Sequence, residues 1–382
     1  MKKRGNGEGT IYRNEKLNLW TGQYTKPNGK RGAVYGKTRQ EVKEKLVKVL
    51  AEIQTHSYIE TSSITLLEIT RSIVEDRYNS NKTRDNAYRT NLDTIKRIEK
   101  SNIAKMKIQK ITEEHLKEYL NSLTSKYSNS SIRKVYGLLN ATFRRAVAKG
   151  YIVRNPFDNK EEMQRPQSKK KDKKIKALTL EEQQKLEVAL SLYNNATYKN
   201  IIRLALYTGM RSGEILALKI SDIDLRNKVI HIQRTLTKDI NARTIIGEDT
   251  KTEDSVRDIV IDDVVEKILK DSISLFQFNE NNLLFLRNNK LITNAQVNIA
   301  FKKLCKQNNI NAGYNVNFHM LRHTYATRCI ESGMPAEVVQ KKLGHHDVEI
   351  TINTYTDIFS KYESEHTNNY LNYLRENKVL LQ

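Results

Sequence analysis

The sequence predicts an α+β fold that is mainly α. It has a small N-terminal three-stranded sheet plus helix, a helical middle unit, and a mostly α third unit with a small β-sheet or hairpin. Three observations predict this. β-prone runs separated by turn residues fill residues 9–35. From residue 64 onward apolar residues recur with helical period. A run of like charge at residues 165–174 interrupts that period and marks a linker. At 382 residues the chain is also too long for one ordinary domain. The expected boundaries are 1–60, 61–160, a basic linker at 161–178, and 179–382.

The strands come first. Gly9-Thr10-Ile11-Tyr12-Arg13, Leu19 to Thr25 and Ala33-Val34-Tyr35 are β-prone, and Asn28-Gly29 between the last two is a hairpin signal. Thr38-Arg39-Gln40-Glu41 is a capping box that opens a helix to about Gln54, with Val42, Leu46, Val49 and Leu50 on one face. Residues 64–152 predict four helices: one over Ile64–Val74, one from Asn86 to about Ile98, one opening at Thr112-Glu113-Glu114, and one from Ser130 to Gly150. The fourth presents Ile132, Val135, Leu138, Leu139 and Phe143 on one side and Arg133, Lys134, Arg144 and Arg145 on the other. The linker, with Lys169, Lys170 and Lys171, should be extended and mobile. The third unit opens at the Thr179-Leu180-Glu181-Glu182 capping box. Helices alternate to its end except between Lys228 and Ile261, where three strand-like runs occur.

The formal charge is +22. Its distribution says more than its sum, because residues 1–178 hold 40 Lys/Arg against 19 Asp/Glu, while the remainder nearly balances. That asymmetry fits a polyanion held mainly by the first half, with a few placed cations doing chemistry in the second. A basic face on a helix bundle is often only solvated, and a lysine-rich composition accounts for part of the total. No stretch approaches the ~20 apolar residues of a membrane span, and no apolar signal segment opens the chain, so the expected location is the cytoplasm. Cys305 and Cys329 are expected as reduced thiols.

The chemistry concentrates in the third unit. Arg211 lies in Thr208-Gly209-Met210-Arg211-Ser212-Gly213-Glu214, and His319 and Arg322 lie in His319-Met320-Leu321-Arg322-His323. His345 follows Leu343-Gly344, and Tyr355 stands ten positions later. Two guanidinium forks can neutralise the two non-bridging oxygens of a phosphodiester. Histidines can hydrogen-bond those oxygens or move protons. A tyrosine hydroxyl, with a free pKa near 10, is a nucleophile that needs such help. His319 and Arg322, at i and i+3, share one helix face. Taken together the set describes a site that cleaves DNA through a phosphotyrosine. Alone, each member has a plainer explanation: a surface salt bridge for Arg211, a packed core residue for His319. Adjacent His345 and His346 lack the carboxylate or cysteine spacing of a zinc site, so neither metal nor cofactor is expected.

These motifs, extended through Ile215-Leu216-Ala217-Leu218, Thr324-Tyr325-Ala326-Thr327 and Asn353-Thr354-Tyr355-Thr356, resemble in order and spacing the signatures of the tyrosine recombinase (phage integrase) family. The three-part organisation resembles its phage and conjugative-transposon integrases. The resemblance implies that Arg211 and Arg322 bind the scissile phosphate and that His345 donates to it. It places His319 near the hydroxyl of the nucleophile Tyr355, with Tyr362 as the nearest rival nucleophile. His323 is expected to pack locally, and Glu214 to support the fold or hold an arginine. It further implies a lysine on a β-hairpin that protonates the departing 5′ oxygen. Lys251 best fits that turn, Lys238 is the alternative, and Glu253 and Asp254 stand where the family often has basic residues.

The implied partners are double-stranded DNA at arm-type and core sites, a homotetramer on two sites assembled partly through the apolar tail after Tyr362, and excisionase and DNA-bending proteins. The expected DNA-contact residues are Lys2, Lys3, Arg4, Arg13, Lys30 and Arg31 around the sheet, Arg133, Lys134, Arg144 and Arg145 on the fourth bundle helix, and Lys169, Lys170 and Lys171 in the linker. The rival readings are a type IB topoisomerase, which rejoins the original strand, and a non-catalytic DNA-binding protein of the same fold.

Overall fold

The computed structural model describes residues 9–55, 58–170, 176–247, 256–310 and 316–344, then 347, 349, 352, 355 and 363–377. The chain forms two compact units, Met1–Asp172 and Lys173–Gln382.

In the first unit β1 (Thr10–Asn14), β2 (Leu19–Thr25) and β3 (Arg31–Gly36) form an antiparallel sheet in sequence order. The β2–β3 connection is longer than a two-residue Asn-Gly turn. It spans residues 26–30, closed by Gly29 N–H to Lys26 O at 2.9 Å, with Gly29 at φ +78, so the glycine supplies the left-handed residue of a bulged hairpin. Helix α1 (Arg39–Gln54), capped by Thr38, seals one sheet face with the fully buried Val42 and with Leu46. The rest of this unit is α2 (Leu66–Asn79), α3 (Asp85–Glu99), α4 (Glu113–Ser122) and α5 (Asn129–Ala148). Thr65, Thr112 and Ser128 cap three of these helices with their hydroxyls. Their apolar faces meet in one core around Leu66, Ile98, Leu116, Ile132 and Phe143.

The linker differs from its expected mobile, extended form at its start. Met163 is buried in the bundle core. Ser168 N–H donates to Asn129 Oδ1 at 2.8 Å, and Lys169 N–H to Thr124 O at 3.0 Å. A methionine and a serine, outweighed in composition by the lysines around them, tether the chain to the bundle as far as Lys169. Lys171 to Lys174 lie outside the described residues.

The second unit is built around α7 (Ala196–Thr208), buried along most of its length, with α6 (Leu180–Ser191), α9 (Asp263–Ser274), α10 (Asn294–Gln307) and α11 (His319–Glu331). The five-residue α8 (Ser212–Leu216) follows α7 after a sharp turn. Strands β4 (Ile223–Asp224), β5 (Val229–Ile232) and β8 (Arg257–Val260) form one sheet, and β6 (Thr235–Lys238) and β7 (Thr244–Gly247) a hairpin. Beyond the expected strand region, β9 (Leu286–Arg287) and β10 (Lys290–Leu291) form a two-residue hairpin too short to leave a period in the sequence. Helix α12 (Ala336–Leu343) and a last helix, Glu363–Glu376, complete the described structure. No helix among the described residues is long and apolar enough to cross a membrane.

Candidate active site

The site begins at the turn between α7 and α8. Gly209 ends α7 at φ +65, a left-handed conformation that disfavours a side chain. A Cβ there would also collide with the Tyr325 ring. Gly209→Ala is therefore expected to destabilise this unit by about 3 kcal/mol, from strain and overpacking together; a thermal melt within experimental error of wild type would contradict this. The turn delivers Arg211 to the N-cap of α8, where Glu214 reaches back to the Arg211 N–H at 2.9 Å. The same carboxylate accepts from Arg211 Nη1 at 2.8 Å.

Glu214 is buried and holds a second arginine. Arg257 donates from Nη1 to Oε1 at 3.1 Å and from Nη2 to Oε2 at 2.8 Å, a fork-to-fork ion pair with side chains only 7% and 3% exposed. Burial by itself would raise the Glu214 pKa. The bonds and charge of Arg257, then the charge of Arg211, outweigh burial and hold it down at about 2.

The C-terminal end of α12 is the other half of the framework. The last carbonyls of a helix lack intrahelical partners and carry partial negative charge. Here three consecutive ones each accept from a different arginine: Lys342 O from Arg257 Nε at 3.0 Å, Leu343 O from Arg322 Nη2 at 2.7 Å, and Gly344 O from Arg211 Nη2 at 2.9 Å. Arg322 Nη1 also donates to Gly209 O at 2.8 Å, which ties the α7–α8 turn to the end of α12. Arg322 is 3% exposed. Burial, followed by the Arg211 charge, lowers its pKa, yet a guanidinium remains protonated at neutral pH. Arg211 keeps a side chain 38% exposed.

Helix α11 presents His319, Arg322 and His323 at i, i+3 and i+4, on one face. The two imidazoles meet edge to face, with centroids 4.9 Å apart. Tyr355 is buried, 4% exposed, among Ala326, Cys329, Ile330, Val339 and Leu343. Its hydroxyl lies 3.1 Å from His323 Nδ1. The tyrosine's histidine partner is therefore His323, expected from sequence only to pack locally, and His319 contacts the His323 ring. The helical period could have shown this, since His323 stands one turn beyond His319. Burial pushes the Tyr355 pKa up to about 12, with Arg322 opposing. The phenol is thus protonated at neutral pH and suited to donate to a neutral His323. Burial and then the Arg322 charge lower the His323 pKa. His319 keeps an exposed surface. Crowding by the surrounding chain, then His323 and the arginines, bring it down to about 4, so it too is neutral at pH 7 and able to accept a proton.

Arg211 from the α7–α8 turn and Arg322 from α11 thus meet at the end of α12, while Tyr355 and His319 both contact His323 on the same α11 face. His345 and Lys251 lie outside the described residues, as do Lys2, Lys3, Arg4 and Lys171. Lys238, the alternative to Lys251, ends β6, exposed. Arg13, Lys30 and Arg31 are exposed on the N-terminal sheet and its turn. Arg133, Lys134 and Arg144 are exposed along α5, and Lys169 and Lys170 just after the bundle. Arg145 is not a free cation, because it pairs with Asp76 at 2.5 Å. Arg257 was the residue missed. Its signal is an arginine in phase with the buried Ile259 of β8 and with Ile261 just after it, a place where a charge requires a partner.

Residues 176–361 match the phage integrase family, and residues 65–163 match the phage integrase SAM-like domain. The chain is 27% identical over 365 residues to a "Tyrosine recombinase XerC-like" protein of Caldanaerobacter subterraneus subsp. tengcongensis, covering 88% of this chain and 91% of that one. Its fold is similar to that of the Tn1549 transposon integrase, solved in complex with transposon right end DNA. The TM-score is 0.68 at 22% identity, over 79% of this chain and 99% of that one. It is also similar in fold to lambda integrase, solved as a tetramer bound to a Holliday junction, with a TM-score of 0.58 at 18% identity over 91% and 97%. With residues 65–163 and 176–361 matched in order, the chain belongs to the phage integrase, or tyrosine recombinase, family.

Proposed function

We propose that this protein is a site-specific DNA recombinase that integrates and excises a mobile element. The Tyr355 oxygen attacks the scissile phosphorus, the bond to the 5′ oxygen breaks, and the product is a 3′-phosphotyrosyl enzyme. Arg211, Arg322 and His345 stabilise charge on the non-bridging oxygens. The phenol proton leaves toward the His323–His319 pair, and Lys251 protonates the 5′ oxygen. A 5′-hydroxyl from a partner duplex then reverses these steps. The bond energy is retained, so neither ATP nor an oxidant or reductant enters.

The observation that carries this reading is the convergence of both family arginines on the end of α12, with the Tyr355 hydroxyl bonded to the residue after Arg322. The exposed cations of the N-terminal sheet fit arm-type sites, and those of α5 and the following segment fit core DNA. Assembly as a homotetramer on two sites, with excisionase and DNA-bending partners, completes the proposal. Leu371 and Leu374 of the last helix are partly exposed, as a docking tail requires, and Val379 and Leu380 lie outside the described residues.

The test is a nicked suicide duplex built from the ends of the element that carries the coding sequence. A covalent adduct on a denaturing gel is expected from wild type, and loss of at least ~10⁴-fold in adduct yield from Tyr355→Phe. An adduct that survives Tyr355→Phe would move the nucleophile elsewhere. Efficient relaxation of supercoils by monomers without paired sites would favour the topoisomerase reading instead.

A further inference from the structure

We propose that Arg257, which stands outside the phosphate-binding pair, is a positioning residue for strand cleavage. It takes up the Glu214 carboxylate and anchors the end of α12, so that Arg211 keeps both its charge and its place. The inference rests on the recombinase reading.

Three observations carry it. First, Glu214 Oε1 touches Arg211 Nη1 at 2.8 Å and Arg257 Nη1 at 3.1 Å, so one carboxylate is shared between two guanidiniums. Held by Arg211 alone, that carboxylate would neutralise the cation meant for the phosphate. Shared with Arg257, it leaves a net positive charge on the pair. With Arg322, the four side chains carry two net positive charges. A phosphodiester carries one negative charge, and its five-coordinate transition state about two, so this balance favours the transition state over bound DNA.

Second, Arg257 Nε holds Lys342 O at 3.0 Å, beside the carbonyls that anchor Arg322 and Arg211. Gly344 sits against this guanidinium in a left-handed conformation, φ +62, and a Cβ there would meet Arg257 Cδ at 3.0 Å. Gly344, which ends α12, is thus seated on Arg257. Third, Arg257 opens β8, whose pairing with β5 runs from Ile232↔Arg257 to Val229↔Val260. Its backbone is fixed by a sheet and its side chain by two separate elements, which makes a rigid bracket of a usually flexible residue.

The test compares wild type, Arg257→Met, Arg257→Lys, Glu214→Gln and the double variant Glu214→Gln/Arg257→Met. Readouts are single-turnover adduct formation on the suicide duplex at saturating DNA, DNA affinity, and thermal melting. Arg257→Met is expected to slow adduct formation about 100-fold while DNA affinity stays within about threefold. Arg257→Lys, which restores the charge but only part of the fork, should recover about tenfold of that loss. The double variant should be no slower than Arg257→Met, because deleting the carboxylate removes the charge that Arg257 offsets. That comparison also decides the case if Arg257→Met alone melts below the assay temperature, since the double variant holds a neutral pair. Adduct formation by Arg257→Met within threefold of wild type would overturn the inference, as would multiplicative losses in the double variant. A wild-type protein that forms no adduct would instead remove the recombinase reading, and this inference with it.

Discussion

Arg322→Ala is expected to abolish strand cleavage and to weaken the catalytic unit at once. In the structure its two arms hold Gly209 O and Leu343 O, both buried. Removing the guanidinium leaves two buried carbonyls without donors, at about 1–3 kcal/mol each. A loss of about 3 kcal/mol in a urea melt is the expected result. In cleavage the variant lacks a cation and two donors at a site where one preorganised donor is worth about 10²–10³ in rate. Adduct formation should therefore fall by at least ~10³-fold with correctly folded protein. Arg322→Lys should keep more stability than activity, since one ammonium cannot span both carbonyls and a phosphate oxygen. Near-normal adduct formation by Arg322→Ala would show that the phosphate is bound elsewhere.

Glu214→Gln is expected to destabilise the catalytic unit strongly, and its effect should depend on pH. The glutamine fits the same volume but leaves the buried Arg257 without a counter-charge, and breaking a buried pair by removing one partner costs about 3–5 kcal/mol. The carboxyl pKa is about 2 in the folded chain, against an ordinary value of about 4.3 when unfolded. Between those values the unfolded chain binds a proton that the folded one does not. The stabilisation, about 3 kcal/mol, is complete above pH ~4.5 and lost as pH falls toward 2. Urea melts of wild type and Glu214→Gln should therefore differ most at pH 7, by about half as much at pH 3, and converge only near pH 2. An equal difference at pH 7 and pH 3 would mean that shape, not charge, is what Glu214 contributes.

Much of the fold was legible because local signals agreed with it. Thr38, Thr65, Thr112 and Thr179 cap helices where the sequence placed helix starts or close to them, and the α5 period separates a buried face from a basic one. The misses share a cause. The hairpin β9–β10 and strand β4 are each two residues per strand, too short to carry a period. The start of the linker is held by single contacts of Met163, Ser168 and Lys169, which composition averages away.

That arginines, histidines and a tyrosine stand at the motif positions Arg211, His319, Arg322 and Tyr355, and in what order, was determined by sequence alone. Motif spacing fixes residue type at each position, and a phosphodiester demands that particular set of cations, proton carriers and nucleophile. Tertiary structure alone decided who holds whom. That Tyr355 rests on His323, that Glu214 is divided between Arg211 and Arg257, and that three arginines cap one helix end are all contacts between residues up to 133 positions apart. Such pairings are chosen by the need to satisfy buried charges and orphaned carbonyls, a demand that arises only once the chain has closed around them.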